Sequence, residues 1–362
     1  MQIPDYGGGS LIDLIGELEH RLTGSSPARL HPHLAELLPE APTCVLVLFD
    51  GLGSRQLAHP AAVPLARNEA FSLDAPFPTT TTVSLASIAT GLPPAGHGLL
   101  GYQLWIPELD QVVNTIKWTT LWGDPLDYPH DRFLPGPNLW ERLRAAGIEP
   151  ITVQPFNFAG SPLSRVLYRG ARFEPIGSTG EIVEATVQLA RSPGRLIFTY
   201  VPHVDFAAHV FGQDSEEYAD AVAVAAAVWD GITAMAPPGT VVVGTADHGH
   251  VDFPAERRHE IPRPEHEGRI FYGDGRVMFV RGDGRPLADR LPADWVDLAD
   301  LEPWWGPGPR AAGFAGRVPD GALVAHDGHL LLHRFSDERL IGNHGGLADA
   351  ERVVPVLVGA RE

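Results

Sequence analysis

The stretch TCVLVLFDGLG, residues 43–53, decides how the rest of the chain is read. Residues 43–49 form a continuous apolar run of one strand's length, without the polar alternation of a sheet that faces water on one side. Such runs belong to parallel strands covered on both faces. Asp50 follows at once, then Gly51 and Gly53. In an open α/β sheet, ligands bind beyond the carboxyl ends of the strands, so an acid at this junction stands where chemistry is expected.

Outward from this strand the pattern repeats. Leu11, Leu14, Ile15 and Leu18 have the spacing of an amphipathic helix within residues 10–30. Residues 138–147 read as a helix, 151–154 as a strand, 180–191 as a helix and 195–201 (RLIFTYV) as a second buried strand. An alanine-rich helix over 215–235, a strand over 240–244 (TVVVG) and a last strand over 353–358 complete the series. This alternation predicts an α/β fold, a doubly wound and mostly parallel sheet with helices on both faces. Between 251 and 340 the texture changes to short pieces broken by Gly and Pro, with a hairpin expected around Gly273, Asp274 and Gly275. The expected organisation is a catalytic core over 1–250 and 341–362 and an inserted α+β cap over 251–340.

Composition narrows the function. A net charge of −18 disfavours binding to a nucleic acid polymer or an anionic membrane surface. Small phosphate esters stay compatible, because metal dications in a cleft invert the local field. Cys44 is the one cysteine, which excludes an intramolecular disulfide and a thiolate metal site. The N-terminal sequence lacks a signal-peptide pattern and no apolar run reaches about 18 residues, so a cytoplasmic protein without a membrane segment is expected.

The chemistry-bearing residues lie in short motifs. Asp205 and His209 are four apart in DFAAHVFG (205–212), so on a helix they share one face. Asp247 and His248 are adjacent in ADHGH (246–250), where a strand gives way to a loop. His344 sits in GNHG (342–345), whose glycines allow close approach of the backbone. In FPTTTTVSLASIATG (77–91), hydroxyls precede an apolar helix-compatible run, and a helix N-terminus favours an anion. Asp50, Asp205, His209, Asp247, His248 and His344 supply two sets of three ligands, and with Thr81 they have the chemistry of a two-metal site with a threonine nucleophile.

With TGLPPAGHG (90–98) added, this ordered series resembles the type I phosphodiesterase/nucleotide pyrophosphatase family of the alkaline phosphatase superfamily, over nearly the whole chain. The resemblance implies that Asp50, Asp247 and His248 hold one metal while Asp205, His209 and His344 hold the other. Thr81 aligns with the family nucleophile, and Thr80 and Thr82 are its alternatives within the same run. It implies two divalent ions, zinc by preference with manganese also suited. The implied activity is hydrolysis of a small, nucleotide-like phosphodiester or pyrophosphate through a phosphothreonine. Three residues after the nucleophile the family commonly has an asparagine that donates to phosphate. Here Ser84 stands there, so either its hydroxyl replaces that donor or the site is tuned to a different ester. Phosphomonoesterase and phosphonate hydrolase are the rival activities, and a noncatalytic metal-binding relative is the rival of another class. His97, His203 and His250 are expected in supporting roles, His259 and His266 at the surface, and Trp304 and Trp305 in packing of the cap. The oligomeric state is not legible in the sequence.

Overall fold

The computed structural model describes residues 2–359. At its centre lies a seven-stranded sheet built from β1 (Thr43–Phe49), β2 (Glu69–Asp74), β3 (Glu149–Pro155), β4 (Arg172–Ile176), β5 (Arg195–Val201), β6 (Thr240–Thr245) and β7 (Val353–Gly359). The spatial order is β2-β7-β6-β1-β5-β3-β4. β1 runs parallel to β5 on one side and to β6 on the other. β7 runs antiparallel to both its neighbours.

Every residue of β1 is buried, which requires cover on both faces. The cover comes from two groups of helices. α1 (Leu11–Thr23) packs with α2 (Thr81–Thr90) and α3 (Leu139–Ala145), while α6 (Glu216–Met235) packs with α4 (Thr179–Ala190) and α5 (His203–Phe211). Each buried Val, Leu or Phe of β1 contributes roughly 1.5–3 kcal/mol by leaving water. Capping residues fix where the helices start. Ser10 pairs with Asp13 and Asn138 with Glu141 in reciprocal capping boxes, and Ser178 and Ser215 accept from backbone N–H groups three residues on.

The stretch 251–340 holds a four-stranded antiparallel sheet, in the order Ile270–Asp274, Val277–Arg281, Gly321–Ala325, Ala293–Asp297. Its first hairpin pairs Asp274 with Val277 across Gly275 and Arg276. A second small sheet, of Gln103–Ile106, Gln111–Asn114 and Thr119–Thr120, packs beside it. Leu104, Trp105, Tyr272, Phe279 and Trp305 share one apolar cluster, so these two sheets form one lobe. No sheet was expected over 103–120, because its strands are only four, four and two residues long. Trp304 and Trp305 pack on Phe77 within this lobe.

Candidate metal centre

Parallel register sets the ends of three central strands side by side. Phe49 lies opposite Val201, and Leu48 opposite Thr245, so the residues just past β1, β5 and β6 emerge together. Asp50 is the first of them, and its carbonyl accepts from the Asp205 N–H at 3.0 Å. Helix α5 begins two residues after β5 and carries Asp205 and His209 one turn apart. The short strand Gly342–Asn343 pairs with Val251–Asp252 and delivers His344 from the far end of the chain. Gly51 adopts φ +74°, and a Cβ there would sit 2.9 Å from the Asp205 Cα, so the close approach of these two segments needs glycine.

Two groups of ligand atoms result, and within each the atoms lie inside 4.8 Å of one another. In the first, His248 Nε2 is 3.6 Å from Asp50 Oδ1 and 3.5 Å from Asp247 Oδ2. Both those carboxylate oxygens are buried without a hydrogen-bond partner, a costly arrangement that a cation would relieve. The opposite oxygens are anchored: the Tyr200 hydroxyl donates to Asp50 Oδ2, while Asp247 Oδ1 accepts from the N–H groups of Gly51 and His248. In the second group, His209 Nε2 is 3.4 Å and His344 Nε2 3.7 Å from Asp205 Oδ1. His250 joins this group, donating to the same oxygen at 2.7 Å.

The histidine tautomers agree with a metal site. His209 Nδ1 donates to the Gly342 carbonyl at 2.7 Å, His344 Nδ1 to Thr79 at 2.8 Å and His248 Nδ1 to Gly249 at 3.1 Å. Each of the three thus turns an Nε2 lone pair toward the centre, the orientation that an anchored metal ligand adopts. Burial, helped by the charges of Asp247 and Asp205, pushes the Asp50 carboxyl well above its usual range. Burial works the same way on Asp205, but His209, His250 and His344 outweigh it and hold that carboxylate well below. Burial with neighbouring imidazoles keeps His344 neutral, and burial pushes His250 down to about 4. A cluster of carboxylates and imidazoles, most of them buried and with no Lys or Arg among its ligand groups, fits divalent cations such as zinc or manganese.

The threonine run is resolved by its neighbours. Thr79 donates to the Gly346 carbonyl, and Thr82 is fully buried and accepts from Thr115. Thr80 precedes α2 as its N-cap residue, and Thr81 is the first helical residue. The Thr81 hydroxyl lies 3.1 Å from His248 Nε2 of the first ligand group, and Thr81 is partly open to a cavity that Asp205, His209 and His344 of the second group also line. The first N–H groups of a helix lack intrahelical partners, so an anion at this position meets donors and the positive end of the helix.

Ser84 corrects the expectation attached to it. Its side chain is completely buried and its hydroxyl donates to the Asp247 carbonyl at 2.8 Å, so it braces the ligand loop instead of reaching a substrate. It lies one turn beyond Thr81, on a side of α2 turned to the strand β6 loop. His97 is buried against Ser87 and is held neutral, pushed down to about 3 by burial. His259 and His266 are half-buried, His259 pairing with His329 at 2.8 Å and His266 packing edge-on to Phe271. Sequence reasoning did not find Tyr200. Its signal is positional, one residue before the carboxyl end of β5 and directly beside β1 in the parallel register. Tyr200→Phe is expected to weaken metal binding roughly 10- to 100-fold while leaving the fold intact, as a metal titration of the purified variant would read.

Fold and site together define an α/β protein of the alkaline phosphatase superfamily, with paired ligand sets at the carboxyl edge of its sheet. The sequence profile of type I phosphodiesterase/nucleotide pyrophosphatase matches residues 44–294, and the chain belongs to that family. Solved structures share the architecture. Murine ectonucleotide pyrophosphatase/phosphodiesterase 5, an inactive threonine-to-alanine variant in complex with AMP, is 18% identical with a TM-score of 0.65, covering 86% of this chain and 87% of that one. Phosphonoacetate hydrolase from Sinorhizobium meliloti 1021, in complex with phosphonoacetate, is 17% identical with a TM-score of 0.65, covering 89% and 91%. The human ectonucleotide enzyme 5 gives 16% identity and 0.63, covering 87% of each chain. No curated protein sequence matches the chain. Among the described residues no helix is long and apolar enough to cross a membrane.

Proposed function

We propose that the protein is a metal-dependent hydrolase of small phosphodiesters or pyrophosphates. The observation that carries this reading is the presence of two cavities, one of about 300 Å³ and one of about 630 Å³, that share Thr81, Asp205 and His209 in their walls. A diester has two arms to accommodate at one phosphorus atom, whereas a monoester has one. The larger cavity is lined by Phe158, Tyr168, Tyr200 and Phe206 and suits a flat or apolar group, as a nucleoside-like arm would present.

Asp50, Asp247 and His248 would hold one divalent ion, and Asp205, His209 and His344 the other, with Asp205 oriented by His250 and Asp50 by Tyr200. When bound, such ions supply charge neutralisation and lower the pKa of a hydroxyl beside them. Thr81 then attacks phosphorus in line: its hydroxyl proton passes to solvent, its Oγ1–P bond forms as the bond from phosphorus to the departing arm breaks, and Thr81 is left esterified to the phosphoryl group that still carries the other arm. Water hydrolyses that intermediate and restores the hydroxyl. The N-terminus of α2 stabilises the charge that gathers on the phosphoryl oxygens, and the rigid strand ends position the partners. The lobe that holds the four-stranded sheet selects among leaving groups in this reading, and a cytoplasmic location is part of it.

The test compares bis(4-nitrophenyl) phosphate with 4-nitrophenyl phosphate, with metal content measured on the same sample. The diester is expected to show at least about tenfold higher kcat/KM. A faster monoester would move the reading to a phosphomonoesterase. Bound metal with neither ester turned over would leave the noncatalytic relative standing.

A further inference from the structure

A further cavity, of about 220 Å³, lies in the lobe between its two small sheets, with Trp105, Val112 and Thr120 of one and Ile270 and Phe271 of the other in its wall. Trp122 and Phe335 complete that wall. Trp122 is 77% exposed, the most exposed large apolar side chain among the described residues. Tryptophan is ordinarily well covered, so an indole left in water beside a cavity asks for a partner. Its ring meets that of Phe335 nearly at right angles with centroids 4.8 Å apart, and the Arg334 guanidinium lies over the Phe335 ring at 4.7 Å. The perpendicular contact holds the indole in place, and at that exposure at least one of its faces stays open.

The charged groups of the wall are equally accessible. Arg334 and Asp110 are exposed, and among the described residues neither has an ion-pair partner. Arg269 is already paired with Glu265 at 3.1 Å, and His266 packs on Phe271. Position ties this cavity to the metal centre. Phe335 is half-buried and also lines the cavity of about 300 Å³ that reaches Thr81, Asp205 and His344, so the two spaces adjoin across one ring. An arm that leaves phosphorus through the nearer cavity meets Phe335 first and Trp122 next. Asp205, Asp274 and Asp337 line that passage and no Lys or Arg does among the described residues, so a neutral linker suits it better than a second phosphate.

We propose that the cavity at Trp122 is a distal subsite for a planar heteroaromatic ring at the end of the substrate's second arm, stacked on Trp122 and flanked by Phe335 and Arg334. This rests on the phosphodiesterase reading above and adds that both arms end in flat groups. Such a ring gains from the aromatic wall and from the free guanidinium, and its own acceptors and donors meet Arg334 and Asp110. An aliphatic group of similar size gains the apolar contact alone.

Binding to the metal-loaded Thr81→Ala protein tests this without turnover. Three 4-nitrophenyl phosphodiesters are titrated in a calorimeter, with 4-(adenin-9-yl)butyl, 4-cyclohexylbutyl or methyl as the second arm. The methyl arm ends close to phosphorus and sets the reference. The adenine ester is expected to bind at least about tenfold more tightly than the methyl ester, and the cyclohexyl ester less than about threefold more tightly. Adding Trp122→Ala should cut the adenine advantage below about threefold, whereas Trp122→Tyr should keep most of it. The side chain is mostly in water, so both variants are expected to fold, which an unchanged midpoint of thermal unfolding checks. No adenine advantage, an advantage that survives in Trp122→Ala, or an equal one for the cyclohexyl ester each overturns the proposal. Failure of the underlying activity is read separately, as absence of bis(4-nitrophenyl) phosphate hydrolysis by the unmodified protein.

Discussion

Thr81→Ala is expected to lower kcat for a phosphodiester by on the order of 10⁴-fold or more while both metal ions stay bound, because the variant loses the attacking oxygen and no ligand carboxylate or imidazole. The magnitude follows from what remains: an intact metal centre and an intact helix N-terminus still bind and polarise the ester, but water must find its own geometry. Rapid mixing supplies a second readout. The unmodified protein should carry the phosphoryl group with its remaining arm on Thr81 when quenched during turnover, visible as the corresponding mass increase on the peptide, and the variant should carry none. Unchanged rates in the variant would remove Thr81 from its role. Thr82 would not inherit it, since that side chain is fully buried against Thr115. Thr80, which lines the same cavity, or a water would be left.

Removal of metal should have an effect of similar size on activity and a large one on stability. Asp50, Asp247 and His248 are all fully or almost fully buried, and the orphaned oxygens of the two acids face one another's charge. A cation that binds only the folded state stabilises it by about 4 kcal/mol when free metal exceeds the dissociation constant a thousandfold. Chelation should therefore abolish turnover and lower the calorimetric midpoint, with both restored on adding back zinc or manganese. The two sites should be separable. His344→Ala removes a ligand from the Asp205 and His209 set alone, so metal content should fall from two toward one per chain, with the Asp50 set still filled. A metal content that stays at two in this variant, or a midpoint indifferent to chelation, would refute the assignment of these residues.

The sequence was most informative where one residue's environment is set by its immediate neighbours. The apolar run of β1 could only be a covered strand, and its observed bounds, Thr43–Phe49, are those read from the sequence. The edge strand β2 escaped notice, because EAFSLD is half exposed and shows no sustained apolar run. At the site, the motif order announced which side chains gather. It could not announce Tyr200, which reads as one more apolar strand residue until the register of β5 against β1 puts its hydroxyl on Asp50. Ser84 shows the reverse failure. Its distance from Thr81 in sequence suggested a substrate contact, but packing buries the side chain completely and sets its hydroxyl on the Asp247 carbonyl.

What the sequence determined by itself was the set of short-range relations: strand and helix periods, the acid that ends β1, the one-turn spacing of Asp205 and His209, and the family series that these motifs spell. The tertiary structure alone decided which partners meet across the chain. His248 Nε2 comes within reach of Asp50 and Thr81, His250 turns onto Asp205, and the Trp122 ring meets that of Phe335 although 213 positions separate them. The physical reason is that periodicity is a property of local backbone geometry, whereas these contacts depend on strand register and lobe packing, set by burial of apolar surface summed over the whole fold.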